Sequence, residues 1–351
     1  MGRFLKKLQP FFAVILGLMA GLLVTAIAGE NPWHVLQILT KSAFGTWYDF
    51  GMTLFYATPL VFTGLSVAIA FHAGLFNIGG EGQLVFGALG VAAFGALFPG
   101  LPWPVAPIVG ILIAFLSGAL WGAIPGWLRA KRGSHEVINT IMLNFVAAGI
   151  SSYVTLYLLK NTEGQNPETL PIGSGYMLSH FAIFGDAPVS TAILLAFVVS
   201  FLVWVLLWKT VLGFEIRAVG KNEIAAKAAG IDASKIRILA MSLAGGVAGL
   251  VGVVEVMGNA GKFRLGFSPD YGFIGIAVAL LGRNRPLGIL GAALLFGALH
   301  KGTAALDFET ENVTREVSLI LEALVILAVS ADGLWDFLHR NPKTKIQRNS
   351  V

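Results

Sequence analysis

The sequence is dominated by ten apolar stretches, most of them long enough to cross a lipid bilayer. They run over residues 11–29, 51–71, 84–99, 104–128, 137–159, 190–208, 238–257, 272–282, 286–303 and 317–335, and 84–99 and 272–282 are the short ones. An α-helix needs about 20 apolar residues to span the hydrocarbon core. Only 12% of the residues are charged, about half the fraction of a soluble domain. The sequence therefore predicts an all-α, polytopic integral membrane protein with about ten transmembrane helices.

Positively charged residues indicate how these helices are oriented. If the N-terminus is cytoplasmic, 18 of the 24 Lys and Arg residues lie on the cytoplasmic side. The other six then lie outside, namely Lys41, Lys160, Lys262, Arg264, Lys301 and Arg315. Because cytoplasmic loops are enriched in Lys and Arg, both termini are predicted to be cytoplasmic. The connection 160–189 is then an extracellular loop region, and the connection 209–237 is a cytoplasmic loop.

No linker long enough to tether a soluble domain interrupts this pattern, so residues 1–351 are predicted to form a single transmembrane domain. The first apolar stretch follows three basic residues, as in a signal peptide, but it lacks a small-residue cleavage site. We expect it to be a retained helix. Segments 87–97 and 288–299 are similar and suggest an internal repeat, although two segments rich in Gly, Ala and Leu can also be similar by chance.

Glycines recur four residues apart in several of the apolar stretches. The pairs are Gly17/Gly21, Gly118/Gly122, Gly122/Gly126 and Gly245/Gly249. Such spacing allows two helices to approach closely. We expect these glycines to serve packing within the chain rather than dimerisation.

A short charged segment, GFEIRAVGKNEIAAKAAGI at residues 213–231, stands between two apolar stretches. Asn222 can cap a helix, Glu223 suits its first turn, and Gly230 can end it. A helix over 222–229 has about two turns, which is too short to persist alone in water. The segment is therefore predicted to dock on a partner. A solvated loop beside the lipid headgroups is the alternative.

Polar residues gather at a glycine-rich break between the second and third apolar stretches. The sequence FNIGGEGQ at 76–83 surrounds Glu81 with glycines, so no helix is expected over the break 79–82. Irregular backbone at membrane depth is tolerated where it lines a cavity. Asn77, Glu81 and Gln83 are therefore candidates for lining a substrate pathway. An ordinary cytoplasmic turn is the alternative.

The fifth apolar stretch carries three polar side chains, Asn139, Thr140 and Asn144, and the last two share a helix face. They are further candidates for the pathway, with hydrogen bonding between helices as the alternative. Ser134 and Glu136 are predicted to cap this helix and to pair with its dipole.

Two further features lie in the second half of the chain. Glu255 is deep in the seventh apolar stretch, where a carboxylate must be paired, neutral or in contact with water, so it is a functional candidate. In LLGRNRPLG, Arg283 and Arg285 are predicted to anchor the inner surface and Pro286 to begin the next helix. The short stretch before them is predicted to be half of a broken helix.

Motifs for enzymatic chemistry are incomplete. The chain has no cysteine, HEVIN at 135–139 lacks the second histidine of a zinc protease, and GLSVA at 64–68 lacks the final glycine of a serine hydrolase. No phosphate-binding G-x-x-x-x-G-K-[ST] motif occurs. We therefore predict no enzymatic activity and no metal or cofactor bound by this chain. An ion-driven carrier that uses Glu81, Glu136, Glu255 or Glu322 stays open as an alternative.

Four blocks resemble the permease subunits of ATP-binding-cassette importers for branched-chain amino acids, simple sugars and nucleosides. They are the segment 213–231 together with GLFNIGGEGQLVFGALG at 74–90, HEVINTIMLNFVAAGI at 135–150 and GFIGIAVALLGRNRPLGILGAALLFGAL at 272–299. NIGGEGQ together with GIAVALLGRNRPLG is most similar to the nucleoside branch, which receives substrate from a basic-membrane-protein type lipoprotein. Permeases for simple sugars such as ribose and for riboflavin are the alternatives.

This resemblance implies an assembly in the bacterial cytoplasmic membrane. It contains two permease subunits, two cytoplasmic ATPases that use ATP and Mg, and an extracellular substrate-binding lipoprotein, and the second permease is expected to be a paralogue. The residues implied to couple to the ATPase are Arg217, Gly220, Asn222, Ala225, Ala226, Ala229 and Gly230. A nucleoside is expected to pass Asn77, Glu81, Gln83, Asn139, Thr140, Asn144 and Glu255, with Phe76 and Phe145 as aromatic walls.

Overall fold

The computed structural model describes residues 2–162, 164–313 and 315–330, and most of them are helical. The helices are α1 (Gly2–Ile27), α2 (Pro32–Phe44), α3 (Trp47–His72), α4 (Gly80–Leu97), α5 (Val105–Arg132), α6 (Glu136–Tyr153), α7 (Ala192–Lys209), α8 (Val211–Lys221), α9 (Glu223–Ala228), α10 (Ala233–Gly249), α11 (Tyr271–Leu281), α12 (Pro286–Glu309) and α13 (Arg315–Ser330). Short π-helical segments follow α6 over Val154–Leu158 and α10 over Val253–Ala260. Strand pairing in the described part is limited to isolated bridges in the connections.

Each of the ten predicted apolar stretches coincides with a helix, although residues 331–335 of the last one lie outside the described part. Seven helices are long and apolar enough to cross a membrane: α3, α4, α5, α6 and α10 with their π-helical extensions, α7 and α12. The apolar part of α1 (Phe12–Ile27), α11 and the part of α13 over Leu319–Val329 are shorter. The described residues therefore contain seven helices of spanning length.

One compact unit consists of Met1–Leu39 and Thr303–Val351. Within its described part α1 packs against α13, and glycine on α1 makes this contact close. A Cβ built on Gly17 would lie 2.6 Å from the Cα of Val325, and one on Gly21 would lie 2.6 Å from the Cγ of Leu321. These two glycines therefore pack within the chain, as predicted.

The second compact unit consists of Thr40–Gly302 and contains an extensive helix contact between α5 and α10. A Cβ built on Gly118 would lie 2.8 Å from the Cα of Gly249, and one on Gly122 would lie 2.9 Å from the Cα of Gly245. The two backbones touch because neither helix carries side chains at this crossing. The predicted packing role of the spaced glycines is thus confirmed here as well.

In the same unit α3 is buried along most of its length and packs against α7, α10 and α11. α4 lies beside α5, α6, α10 and α11. Because α4 follows the glycine-rich break directly, its first turn places the residues of FNIGGEGQ among these four neighbours.

Two sequence-based expectations are wrong in detail. The break 79–82 is not irregular throughout, because α4 begins at Gly80 and the Gly79 carbonyl already accepts the Gln83 N–H at 3.0 Å. Ser134 does not cap α6: His135 holds the N-cap position, and the Ser134 hydroxyl accepts instead from the Asn139 amide at 2.6 Å. Gly82 is required for close packing, because a Cβ there would lie 2.9 Å from the Asn144 Oδ1.

The charged segment 213–231 holds two helices where one was predicted. The predicted helix corresponds to α9, capped by Asn222, whose side chain accepts from the Ala225 N–H at 3.0 Å. α8 was missed, although Thr210 caps it in the same way through the Gly213 N–H at 3.1 Å. Ile216 and Val219 are three residues apart, so α8 buries one apolar face.

Candidate functional site

The connection between α3 and α4 is held by a pair of buried amides. The Asn77 Nδ2 donates to the Gln83 Oε1 at 2.8 Å, and the Gln83 Nε2 donates back to the Asn77 Oδ1 at 3.0 Å. Asn77 also accepts from the Gly79 N–H at 3.1 Å and donates to the Ser66 hydroxyl at 3.2 Å. These predicted pathway residues therefore satisfy each other and fix the start of α4.

Asn144 joins α6 to this same connection. Its Oδ1 accepts from the Gly82 N–H at 2.9 Å, and its Nδ2 donates to the Ile78 carbonyl at 3.0 Å. Glycine is required at position 82 because a Cβ there would lie 2.9 Å from the Asn144 Oδ1 and 3.0 Å from the Trp121 Nε1. Asn144 therefore makes the hydrogen bonds between segments that were the alternative to a pathway role, and the pathway role itself stays a prediction.

The other polar residues predicted on the fifth stretch serve α6 itself. The Thr140 hydroxyl is buried and donates to the Glu136 carbonyl of its own helix at 2.8 Å. Asn139 is bonded to Ser134 in the connection before the helix. Glu136 forms an ion pair with Arg129 of α5 at 3.2 Å, so it ties the two helices together.

Glu81 connects α4 with the start of α11. Its Oε2 accepts from the Gly272 N–H at 2.7 Å, and its carboxyl group is also hydrogen-bonded by the Ser268 side chain. Ser268 in turn accepts from the Tyr271 N–H at 3.1 Å. A carboxylate at this place satisfies free N–H groups of the first turn of α11 and complements its dipole.

A cavity of about 240 Å³ opens beside Glu81. One side is formed by Glu81, Gly82 and Val85 of α4. α6 contributes Asn144, Ala148, Ser151 and Ser152. The third side is the connection before α11, through Phe263 and residues 265–268. Its volume lies slightly below the range of about 300–1,000 Å³ that is usual for sites of drug-sized ligands, so it suits a small cargo.

Two of the nine predicted pathway residues, Glu81 and Asn144, line this cavity. Phe76 instead packs edge-on against Phe71, with ring centroids 5.2 Å apart, and the ring of Phe145 is 68% exposed on the outside of the chain. Neither ring lines this cavity, and their predicted role as aromatic walls of the substrate pathway stays a prediction. Phe145 follows Asn144 directly on α6, so the two side chains point to different faces of that helix.

The aromatic wall comes from a part of the chain that the sequence analysis passed over. Phe263 and Phe267 pack edge-on with ring centroids 5.4 Å apart, and both line the cavity. Trp121 of α5 was also missed: it stacks on Phe86 at 3.7 Å, and its Nε1 has no hydrogen-bond partner in the described part of the chain. The sequence did contain a signal for the aromatic wall, namely two phenylalanines near Ser268 in an otherwise polar connection.

Glu255 belongs to a separate polar cluster within the π-helical segment after α10. It is 7% exposed, and its carboxyl group is hydrogen-bonded by the Asn259 amide at 3.3 Å and by the Tyr271 side chain. It does not line the cavity. The requirement that an embedded carboxyl group find partners is therefore met by its immediate neighbours.

A buried ion pair fastens the connection 160–189 to the wall of the cavity. Glu168 is 4% exposed and accepts from the Lys262 Nζ at 2.6 Å, which lowers the pKa of its carboxyl group. Beside it, the Thr169 N–H donates to the Phe263 carbonyl at 3.0 Å, and the Leu265 N–H donates to the Pro167 carbonyl at 3.1 Å. Any displacement of this connection therefore acts directly on Phe263 and Leu265.

The predicted coupling segment is anchored to the chain on one face and free on the other. Glu223 of α9 accepts from Arg237 of α10 at 2.6 Å and pairs with Lys227 at 2.8 Å, so the pKa of Glu223 is lowered. Ala226 is buried, whereas Ala225 and Ala229 are exposed.

The remaining residues predicted in this segment shape its backbone. Gly220 packs against the backbone at His72 and Gly74, directly after α3, where a side chain would collide. Arg217 folds back onto the Gly213 carbonyl at 3.2 Å, and Gly230 ends α9 with a φ of 85°. The contact at Gly220 connects α8 to the start of the α3–α4 connection.

Comparison with known proteins identifies the family. The family described as branched-chain amino acid transport system / permease component matches residues 50–330. The guanosine ABC transporter permease protein NupP of Bacillus subtilis is 36% identical over 342 residues, which cover 96% of this chain and 97% of that protein. The nucleoside ABC transporter permease protein NupB of Lactococcus lactis is 35% identical over 97% of this chain and 94% of its own length.

A glucose ABC transporter permease protein of Haloferax volcanii is 33% identical over 91% of this chain and 85% of its own length. All three relatives are transport components and not enzymes. With seven helices of spanning length in its described part, the chain is a multi-pass membrane protein. It belongs to the family of permease components typified by the branched-chain amino acid transport system.

Proposed function

We propose that this chain is the transmembrane permease subunit of an ABC importer that takes up nucleosides. The observation that carries the proposal is the match over nearly the whole chain to permeases named for guanosine and for nucleosides. A cavity that combines aromatic rings with a few hydrogen-bonding groups also suits a flat base joined to a ribose. The alternative cargo is a sugar such as ribose, or riboflavin. The 33% identical relative named as a glucose permease supports the sugar alternative.

Uptake by the complete assembly tests this cargo. Cells or vesicles that contain the permeases, the ATPase and the binding protein are supplied with labelled guanosine, ribose or riboflavin. We expect ATP-dependent accumulation of guanosine that survives a protonophore. Uptake of ribose without any nucleoside would refute the cargo, and uptake abolished by the protonophore but not by loss of the ATPase would favour an ion-driven carrier.

The proposed assembly lies in the bacterial cytoplasmic membrane, with ten spans and both termini cytoplasmic. The excess of Lys and Arg in alternate connections supports this orientation. Because the chain has no native cysteine, single cysteines can report it directly. A cysteine at Asp186 should react with an impermeant maleimide in intact cells, and one at Lys221 only after lysis. The reverse pattern would invert the topology.

The ATPase, which uses ATP and Mg, is proposed to dock on the cytoplasmic segment 209–237. Support comes from the exposed face of α9, where Ile224 is 82% exposed beside Ala225 and Ala229. A side chain this apolar is more stable against a partner than in water. The packing of Gly220 against the end of α3 offers a route by which ATPase movement reaches the α3–α4 connection.

The extracellular binding lipoprotein is proposed to dock on the connection 160–189. Its length exceeds what a link between two helices needs, and Glu168 ties it to the wall of the cavity. Deleting residues 163–176 should abolish the stimulation of ATP hydrolysis by loaded binding protein while leaving the basal rate unchanged. Unaltered stimulation would contradict this assignment. The second permease is proposed to be a paralogue, testable by co-purification from the native operon.

The proposed cargo pathway runs along Glu81 and Asn144, which line the cavity. Asn77 and Gln83 support it from behind by fixing the start of α4. The other proposed members, Asn139, Thr140 and Glu255, hold their own helices and neighbours. Replacing Asn144 with Ala should therefore reduce uptake more than replacing Asn139 with Ala. Equal uptake by both variants and the wild type would remove the pathway.

A further inference from the structure

We propose that the cavity beside Glu81 binds uncharged, ring-bearing molecules with two neighbouring hydroxyl groups, and that Glu81 recognises this diol. This inference rests on the proposed function, since a nucleoside is one such molecule. It goes further because it assigns the chemical basis of selection to one side chain of the permease itself.

The first observation is the charge of the side chains that line the cavity. Of the residues that form the cavity, Glu81 alone is ionisable, and no Lys, Arg or His lines it in the described part of the chain. A phosphate or carboxylate entering the cavity would lose its hydration without gaining a cationic partner, and it would meet a carboxyl group. The cavity therefore disfavours nucleotides and free amino acids, although the family is described by branched-chain amino acid transport.

The second observation is the number of hydrogen bonds that Glu81 can still accept. A carboxylate offers about four acceptor sites and no donor. Two are used by the Gly272 N–H and the Ser268 side chain. Two neighbouring hydroxyl groups supply two O–H donors about as far apart as the two carboxylate oxygens. The remaining acceptor sites on Glu81 therefore match a diol in number and kind.

The connection before α11 gives the cavity a surface that suits a flat ring. Phe267 is partly exposed into the cavity, and Phe263 holds it edge-on from behind. Asn144 keeps one N–H and one acceptor site beyond its bonds to Ile78 and Gly82, so it can meet a polar edge of the ring. The cavity thus offers an aromatic surface to a ring and a carboxylate to a diol.

Binding to the permease without its binding protein tests the proposal. The complex of permeases and ATPases is reconstituted in lipid nanodiscs, and weak binding is followed by saturation-transfer difference NMR. The probes are guanosine, 2′,3′-dideoxyguanosine and guanosine 5′-monophosphate. We expect guanosine to bind about tenfold more tightly than the dideoxy compound, the factor given by about 1.4 kcal/mol for hydrogen bonds to a charged acceptor. The monophosphate should not bind.

The Glu81→Gln variant isolates the side chain. Its amide oxygen can still accept from the Gly272 N–H, so α11 keeps its first turn while the charge and one acceptor oxygen are lost. We expect the preference for guanosine over the dideoxy compound to fall below about twofold, with binding of the dideoxy compound unchanged. Glu309→Gln makes the same charge change at an exposed position and should keep the full preference.

The proposal fails if Glu81→Gln keeps the wild-type preference, if the wild type binds neither nucleoside, or if it binds the monophosphate as tightly as guanosine. The last two results need only the wild type, so they stand even if the variant does not insert. Failure of the proposed function is a different result: the complete assembly then takes up no nucleoside at all.

Discussion

Replacement of Asn77 by Ala should destabilise the chain far more than replacement of Gln83, although each change removes the same pair of amide–amide bonds. Asn77 is 0% exposed and Gln83 is 1% exposed, so water cannot take over the freed groups. In Asn77→Ala, four buried groups lose a hydrogen-bond partner: the Gln83 Oε1, the Gln83 Nε2, the Gly79 N–H and the Ser66 hydroxyl. In Gln83→Ala, the Asn77 amide keeps its bonds to Ser66 and Gly79.

The difference can be estimated from these counts. An unsatisfied buried polar group costs about 1–3 kcal/mol, so four of them make Asn77→Ala about 4 kcal/mol less stable than Gln83→Ala at the low end. The double variant removes the Gln83 amide together with Asn77, so only the Gly79 N–H and the Ser66 hydroxyl are left unsatisfied. It should therefore be about 2 kcal/mol more stable than Asn77→Ala alone. The larger cavity left by Gln83 works against both differences.

The assay is the midpoint of heat-induced loss of the monodisperse peak of detergent-purified protein. We expect the order of midpoints to be Gln83→Ala, then the double variant, then Asn77→Ala. A double variant that unfolds at or below the midpoint of Asn77→Ala would refute the reasoning, because it would show that lost volume outweighs unsatisfied groups. A lower midpoint for Gln83→Ala than for Asn77→Ala would do the same.

Three further predictions concern other parts of the chain. Gly118→Ala should lower the yield of folded protein, since its Cβ would collide with Gly249. A Cβ at position 149 would have no atom within 4 Å, so Gly149→Ala should be neutral or slightly stabilising when monodisperse yields are compared. The pKa of Glu168 lies below its usual value of 4.5, so its stabilising ion pair should be complete above pH 4.5 and lost as the pH falls through the lowered pKa. Proteolysis of the 160–189 connection should therefore accelerate at that low pH in the wild type. Glu168→Gln should be cleaved fast at every pH. Ala225→Trp, on the exposed face of α9, should leave insertion and basal ATP hydrolysis intact but abolish uptake, and normal uptake with the ATPase bound would contradict the coupling role.

Features that depend on near neighbours in sequence were predictable. The positions of the seven helices of spanning length in the described residues follow from the apolar stretches. The N-cap at Asn222, the left-handed end at Gly230 and the helix start at Pro286 follow from preferences of single residues for particular backbone conformations. These signals act within about one turn of helix, so the sequence contains them completely.

The candidate site was predictable only in part. Asn144 was identified as a polar group in an apolar stretch, and Glu81 as a polar group in a glycine-rich break. The partners of both are distant in sequence. Glu81 bonds to Gly272, 191 residues away, and Asn144 bonds to Gly82, 62 residues away. The polarity of each side chain marked it as a candidate, but only the packing of the helices showed which group it bonds to.

The aromatic wall of the cavity was decided by tertiary structure alone. Phe263 and Phe267 lie in a connection without regular structure, where no periodicity assigns a side chain to a face. They reach the cavity because Glu168 and Thr169 bind this connection from the segment 160–189. Local chemistry therefore determined which segments form apolar helices and where helices begin, whereas long-range hydrogen bonds and glycine contacts determined which side chains meet around the cavity.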